Sequence, residues 1–399
     1  MSSARDRNVY VLGAGFSASA GVPVVHDFID HARTYFDDPS SGLDQSELEH
    51  FEKFFAFKRK MSQAREKVRI DLDNIEQLFG LVEISDRLQP ERRKRDDTRT
   101  STVYTIAKTI QLAAESARTD QITFTVNDEV LARKGRLPHG FNHPPAPVNP
   151  PIRYGAALYD YFAGLAAGLL DDPDKLGNRA NSFITFNYDL VLDDALRRVG
   201  VVPDYQLPTD YLSRETAMTN GPSCPVLKLH GSTNWGICAN CQKQVVVLEG
   251  KVTAVPSEFR SRECQDCRQK TFQPLLIPPS WDKSEHREIM RPVWQKAVEE
   301  LKRATRICVI GYSMPEADSF FKYLLALALS ENHGLYKFIV VDKDQTVSSK
   351  YEQLLDPMFR ERRIAPFLNE IGFSAFLGND ASLKALGRGE VVWGNLRRS

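Results

Sequence analysis

The chain has 399 residues, enough for two or three average domains or for one domain carrying large insertions. Its 42% hydrophobic and 26% charged content is that of a soluble globular protein, and Lys+Arg and Asp+Glu both total 52, so no net charge points to nucleic acid or to an anionic membrane. No apolar stretch has the length of a membrane span and the first residues lack a signal-peptide pattern, so the expectation is a cytoplasmic protein.

"RNVYVLGAG" (7–15) reads as a buried strand of β-branched and aromatic residues entering a glycine turn. "FSASAGVPVVHDFIDHARTYF" follows with helical spacing, Phe28, Ile29, Ala32 and Phe36 lying along one side. From 37 to 175 the pattern is helical, in "LDQSELEHFEKFFAFKRKM", "DLDNIEQLFGLVEIS", "YTIAKTIQLAAESA" and "YGAALYDYFAGLAAGLL", with little strand signal between. A charge run (88–102) and a proline-rich connection (136–153) within it read as exposed loops. Strand-like runs return at 182–189, 225–231, 306–313 and 336–344, with the helical "IMRPVWQKAVEELKRA" between two of them. Buried strands alternating with helices indicate a mostly parallel α/β sheet, interrupted by a helical block after its first strand–helix unit.

Gly13, Gly15 and Ala18 fit G-x-G-x-x-G/A between a strand and a helix. In a dinucleotide site, Gly13 would allow the tight turn and Gly15 would let backbone N–H groups approach a pyrophosphate. A bare strand-to-helix turn is the alternative. No second strand ends in an acid about 20 residues further on, so a hydride-transferring Rossmann domain fits poorly. Cys238 and Cys241, followed by Cys264 and Cys267, form a C-x2-C…C-x2-C set that predicts a closed, structural zinc site in a ribbon, with "KQVVVLEGKVTAV" as its hairpin. Cys224 and Cys308 sit in apolar surroundings and read as core residues.

Ligands of open α/β sheets bind beyond the carboxyl ends of the strands, and several chemically capable residues fall there. They are Gly13–Ser17, Asn187 and Asp189 in "TFNYD", His230 in "KLHG", "GYSMPEAD" and "VDKD". Singly each reads as a turn or cap; together they predict a nucleotide pocket with a neutral histidine available as a base.

In this order, "GAGFSASAGVP", "TFNYD", "LHG" and the paired CxxC module resemble the sirtuin family over about residues 8–345. "TFNYD", "LHGSTNW" and "VIGYSMPEADSFF" look most like the divergent bacterial sirtuin-like domains of anti-phage systems. The resemblance implies a Rossmann-like NAD-binding domain over 1–36, 176–235 and 274–399, a helical insertion over 37–175 and a zinc ribbon over 236–273. It implies that Gly13, Ala14, Gly15 and Ser17 hold the NAD phosphates, that Asn187 fixes the nicotinamide ribose with Asp189 beside it at the nicotinamide, and that His230 is the general base. Gly311, Ser313 and Asp342 would hold the adenosine half.

Deacylating relatives have "GIPDFR" where this chain has "GVPVVHDF", and "TQNID" where it has "TFNYD", so Phe186 replaces a polar glutamine. Both departures fall at the nicotinamide end and favour NAD hydrolysis over a protein deacylase or ADP-ribosyltransferase. A non-catalytic nucleotide-sensing module is a third reading. An NADase needs restraint, and the expectation is self-assembly into a homo-oligomer or a partner such as a HerA-type ATPase, with the helical insertion as the contact surface.

Overall fold

Strand β1 (Asp6–Leu12) is buried on both faces from Val9 to Leu12. An unbroken apolar strand of this kind belongs inside a parallel sheet covered on both sides. The computed structural model describes residues 6–65, 67–88, 97–117, 123–126, 154–168, 179–208, 222–248, 259, 261–278, 287–315, 318–360, 365–369 and 373–377. In it β1 pairs in parallel with β4 (Arg179–Thr185) on one edge and β10 (Arg306–Ile310) on the other. The sheet extends through β6 (Ser223–Lys228) and β5 (Val202–Asp204) on the first side, and through β11 (Lys337–Val341) and β12 (Ala365–Asn369) on the second. All pairings of this seven-stranded sheet, ordered β12-β11-β10-β1-β4-β6-β5, are parallel. The chain builds one side of β1 first and then returns to build the other, so a crevice is expected at the carboxyl ends of β1 and its neighbours. The strand run expected over 182–189 ends at Thr185, and the next residues form a turn.

Aromatic packing fixes the centre of the sheet. Tyr10 stacks on Phe183 at 5.4 Å between centroids and meets Phe162 edge-on at 5.6 Å. Phe162 belongs to a helix over Leu158–Ala166, which is buried almost throughout and packs in the sheet's core. Residues 154–157, which read as the start of that helix, instead form a strand (β3, Tyr154–Ala157) paired antiparallel with β2 (Thr123–Val126). The C-terminal stretch extends the fold through β12 and a helix over Phe373–Leu377, whose Phe373 packs on Phe16 at 4.7 Å.

Four helices form a second apolar core: α2 (Phe28–Asp37), α3 (Gln45–Arg65), α4 (Ile75–Leu88) and α5 (Thr98–Ala117), a numbering that takes Ala14–Ser17 as α1. Phe51, Phe54, Phe55, Leu78, Phe79 and Ile106 fill this core. The start of α3 is fixed by a reciprocal cap, in which Asp44 Oδ1 accepts from the Glu47 N–H at 2.8 Å and Glu47 Oε2 accepts from the Asp44 N–H at 2.9 Å. The other Glu47 oxygen pairs with Lys108 Nζ of α5 at 2.9 Å, and Arg99 Nε of α5 pairs with Glu83 Oε1 of α4 at 2.8 Å; both ion pairs are buried. The charge run expected as an exposed loop over 88–102 therefore ends differently. Residues 98–102 are the first turns of α5, because Arg99 finds an interior carboxylate; 89–96 lie outside the described residues, as does the proline-rich stretch 136–153.

A small antiparallel sheet, in the order β8-β7-β9, is built from β7 (Gly231–Cys238), β8 (Val245–Val247) and β9 (Phe272–Leu276); Cys238 ends β7, and Cys241, Cys264 and Cys267 lie in the turns after β7 and before β9. Gly231 turns the chain from β6 into β7 at φ +83°, a conformation that favours glycine. Val245–Val247 pairs with Trp235–Ile237 of β7, while the second arm of the expected hairpin falls in 249–258, outside the described residues. Lys108→Met would leave Glu47 buried without its cation. Its expected cost is about 3–5 kcal/mol of unfolding free energy, read from urea denaturation of the two proteins.

Candidate functional site

The turn after β1 is held by the turn after β10. The Gly13 N–H donates to Ile310 O at 3.1 Å and the Gly15 N–H to Gly311 O at 2.9 Å. A Cβ on Gly13 would lie 2.6 Å from Gly311 O, and one on Gly15 2.8 Å from Gly311 Cα. Gly311 has φ +62°, and a side chain there would collide with the Phe16 nitrogen. These glycines are thus required by backbone packed on backbone. The expectation for Gly15 was close approach to a pyrophosphate; in the structure its N–H is already bonded to the neighbouring turn. Tyr159 adds a brace, its hydroxyl donating to Phe16 O at 2.7 Å.

Asn187 ties the end of β4 to this turn. Its side-chain Nδ2 donates to Gly13 O and to Ser17 Oγ, both at 2.9 Å. Gly13 O can only accept, so the amide orientation is fixed and both N–H bonds are in use. Among the described residues nothing donates to Asn187 Oδ1, which leaves an acceptor at the sheet's carboxyl edge. Asp189 lies in the turn that follows, buried, with Oδ1 accepting from the Val191 N–H at 3.0 Å at the start of helix Val191–Arg198. Burial pushes its pKa up, opposed by the charge of Lys228 and a hydrogen bond from Ser17.

His230 follows β6 and is only 4% exposed. Its Nε2 lies 3.3 Å from Asp318 Oδ2, and the Tyr312 hydroxyl donates to the same oxygen at 2.9 Å. With Asp318 ionised, Nε2 carries the proton and Nδ1 is the basic nitrogen. Burial, and then the charge of Asp318, raise the Tyr312 pKa well above that of an ordinary phenol, so it stays a donor. Phe186 stacks face to face on Tyr312 at 3.9 Å and meets the His230 ring edge-on at 5.3 Å. The aromatic residue that stands where a glutamine was expected is therefore the apolar wall of the histidine.

Asp318 and Tyr312 were missed by sequence reasoning, although both lie in the quoted "GYSMPEAD". Asp318 sits at the N-cap position of helix Ser319–Leu329, where an acid normally accepts from the helix, yet its side chain makes no cap bond. Its carboxylate is turned to His230 instead. A second missed group lies behind β6. Buried Lys228 Nζ donates to Asp193 Oδ2 at 3.0 Å and to Asp189 O at 2.5 Å. The Tyr205 hydroxyl donates to Asp193 Oδ1 at 2.5 Å and accepts from Arg197 at 3.1 Å and from Asn234 of β7 at 3.4 Å. This network joins the strand of His230, the turn of Asp189 and the ribbon.

Gly311, Ser313 and Asp342 lie at the ends of β10 and β11. Gly311 touches the glycine turn directly, and its N–H donates to Val341 O at 2.9 Å, next to Asp342. Ser313 is exposed; Asp342 is half-buried, its pKa raised by burial, with Oδ1 accepting from the Asp344 N–H at 2.9 Å. The structure brings Gly13, Ser17, Asn187 and Asp189 into one hydrogen-bonded group. His230 belongs to a second group with Asp318 and Tyr312, joined to the first through Phe186, and Ser313 and Asp342 flank the other edge.

The four cysteine sulfurs converge within 4.8 Å of one another. Cys238 and Cys267 are 3.6 Å apart, as are Cys241 and Cys264, close to the about 3.8 Å that tetrahedral zinc–thiolate bonds demand. Both CxxC turns have the same build. The residue after each second cysteine is left-handed (Gln242 at φ 54°, Arg268 at φ 60°), and its N–H donates to the carbonyl of the first cysteine, at 2.9 and 2.8 Å. Burial opposes ionisation of Cys238, but hydrogen bonds from Thr271 and from the backbone at Cys241 and Asn240 bring its pKa down to about 6. The set fits a structural zinc ion with all four positions filled by protein. It lies at the opposite end of β7 from His230, so it takes no part in chemistry there.

No protein-family profile and no curated protein matches the chain. Among solved structures it is similar to Sir2Tm bound to a propionylated peptide, with 14% identity and a TM-score of 0.35 over 92% of this chain and 89% of that one. It is also similar to Sir2 in complex with the inhibitor EX-527, 2'-O-acetyl-ADP-ribose and a deacetylated p53 peptide, with 14% identity and a TM-score of 0.35 over 92% and 90%. Purified protein is expected to carry one zinc ion per chain by elemental analysis. Cys241→Ser is expected to lose it and to melt several degrees lower.

Proposed function

We propose that the chain is a sirtuin-like enzyme whose substrate is NAD, which it hydrolyses to nicotinamide and ADP-ribose. The observation that carries this reading is the Asn187 amide, bonded by both N–H groups to the glycine turn and presenting its oxygen at the carboxyl edge of β1 and β4. That oxygen would accept from a ribose hydroxyl and face positive charge developing at C1′. The turn of Ala14–Ser17 would take the phosphates and Gly311, Ser313 and Asp342 the adenosine end, with Asp189 supporting Ser17.

In the proposed reaction the C1′–nitrogen bond of the nicotinamide riboside breaks, and the bonding pair neutralises the pyridinium nitrogen. A water oxygen bonds to C1′, and its proton passes to His230 Nδ1, with Asp318 holding the ring and stabilising the imidazolium. Phe186 and Tyr312 keep bulk water from the histidine, which strengthens that electrostatic support. The zinc ribbon would hold β7, and so the turn of His230, in place. The biological role proposed is depletion of NAD as an effector of anti-phage defence. Self-assembly or a HerA-type partner acting on the helical segment would restrain it.

The test is the product mixture formed from NAD by the full chain without any peptide. Nicotinamide and ADP-ribose in equal amounts are expected. Asn187→Ala and His230→Ala should each lose about 10²-fold or more, and Asp318→Asn, which cannot hold the same tautomer as a charged partner, about 10²-fold. Turnover only on addition of an acyl-lysine peptide would replace this reading with a deacylase. Binding of NAD without turnover, with or without a partner, would leave a nucleotide-sensing module.

A further inference from the structure

The turn that carries Asn187 and Asp189 lies between β4 and the helix Val191–Arg198 and belongs to neither. The carbonyls of Tyr188 and Asp189 therefore have no place in a sheet or helix ladder and must be satisfied by other parts of the fold. Tyr188 O accepts from the Thr233 N–H of β7 at 2.9 Å and from the Thr233 and Ser232 hydroxyls at 3.2 and 3.4 Å. Asp189 O accepts from Lys228 Nζ at 2.5 Å. A lysine side chain thus does for this turn what a backbone N–H does in regular structure.

Lys228 is the last residue of β6 and lies in register with Thr185, the last residue of β4. A strand lysine ordinarily carries its ammonium out to water. Here the side chain is 1% exposed, as is that of Asp193, whose Oδ2 takes the ammonium at 3.0 Å. Asp193 stands in the helix that follows the turn, and its other oxygen accepts from the Tyr205 hydroxyl. The ammonium is therefore fixed from behind and bonded in front to the backbone of the turn. Two residues before Asp189, the Asn187 amide spends both N–H bonds on Gly13 O and Ser17 Oγ, which belong to the end of a different strand. A shift of the turn would draw the amide off those acceptors. Two residues after Lys228 comes His230, so the same strand end serves both polar groups of the site.

We propose that Lys228 is a positioning residue whose ammonium, held by Asp193, fixes Asp189 O and through it the place of the Asn187 amide against the glycine turn. It touches no substrate. Its consequence for ligand binding rests on the NAD reading above, whereas its effect on Asn187 does not.

A buried ion pair can often be exchanged for apolar side chains of similar volume without loss of stability, whereas removal of one partner is costly. That difference separates positioning from mere support. Lys228→Met should melt well below wild type, and Lys228→Met/Asp193→Leu should regain most of the loss. The deciding readout is solvent exchange of the Asn187 side-chain N–H groups, followed by NMR in the full chain with nitrogen-labelled asparagine and assigned with Asn187→Asp. Exchange in the double variant should be about 10-fold faster than in wild type or more, despite the recovered stability. ADP-ribose affinity measured by calorimetry should fall about 10-fold. Wild-type exchange at Asn187 in the double variant overturns the proposal, because the pair would then serve stability alone. A double variant that does not fold overturns it as well, since the pair would then be required by the fold and not by the turn. Wild-type protein that fails to bind ADP-ribose overturns the NAD reading and leaves the effect on Asn187 to stand or fall by its exchange.

Discussion

Two backbone turns, after β1 and after β10, touch so closely that neither Gly13 nor Gly15 could carry a side chain, and Gly311 faces them in a left-handed conformation. This contact lies at the place where the sheet changes its direction of growth. It fixes the height of Gly13 O and Ser17 Oγ, which in turn fixes the Asn187 amide. It also sets the start of the segment that carries Tyr312 to the Phe186 ring and Asp318 to His230. A methyl group at any of the three glycines would separate the turns and loosen both groups of polar side chains together.

The rest of the molecule supports that junction from two directions. Below it, Tyr10, Phe162 and Phe183 interlock through the sheet, and Phe373 covers Phe16, so the glycine turn rests on aromatic packing rather than on solvent. Beside it, the Lys228–Asp193–Tyr205 network is wholly buried. Ion pairs in such surroundings contribute little net stability compared with apolar packing, but each member is costly to remove once the others are in place. Its effect is geometric: one ammonium group joins the strand leading to His230 with the turn of Asp189, and Asn234 extends the link into the ribbon.

Much of this was legible in the sequence because it is local. A run such as Val9–Leu12 needs burial on both faces, the two CxxC pairs need a common metal, and Gly13–Gly15 needs a strand before and a helix after; each requirement is met within a few residues. What could not be read depends on partners far along the chain. Asp318 resembles any helix N-cap until His230, 88 positions earlier, arrives to claim its carboxylate. Lys228 resembles an exposed strand residue until Asp193 is found beside it. Arg99 closes a run of charges that reads as loop, yet Glu83 draws it into the helical core. Gly15 reads from the sequence as a phosphate-loop glycine, and what the sequence does not show is its close contact with the Gly311 turn, nearly 300 residues away.

On the function proposed above, the glycine turn, Asn187 and the ends of β10 and β11 form one binding site for an ADP-ribose moiety. The deciding experiment is a crystal structure of the full chain with ADP-ribose. The expected complex has the diphosphate against Ala14–Ser17, the terminal ribose within hydrogen-bond distance of Asn187 Oδ1, and the adenosine between Gly311, Ser313 and Asp342. A ligand bound elsewhere, or lying in the crevice with its ribose away from Asn187, would contradict it.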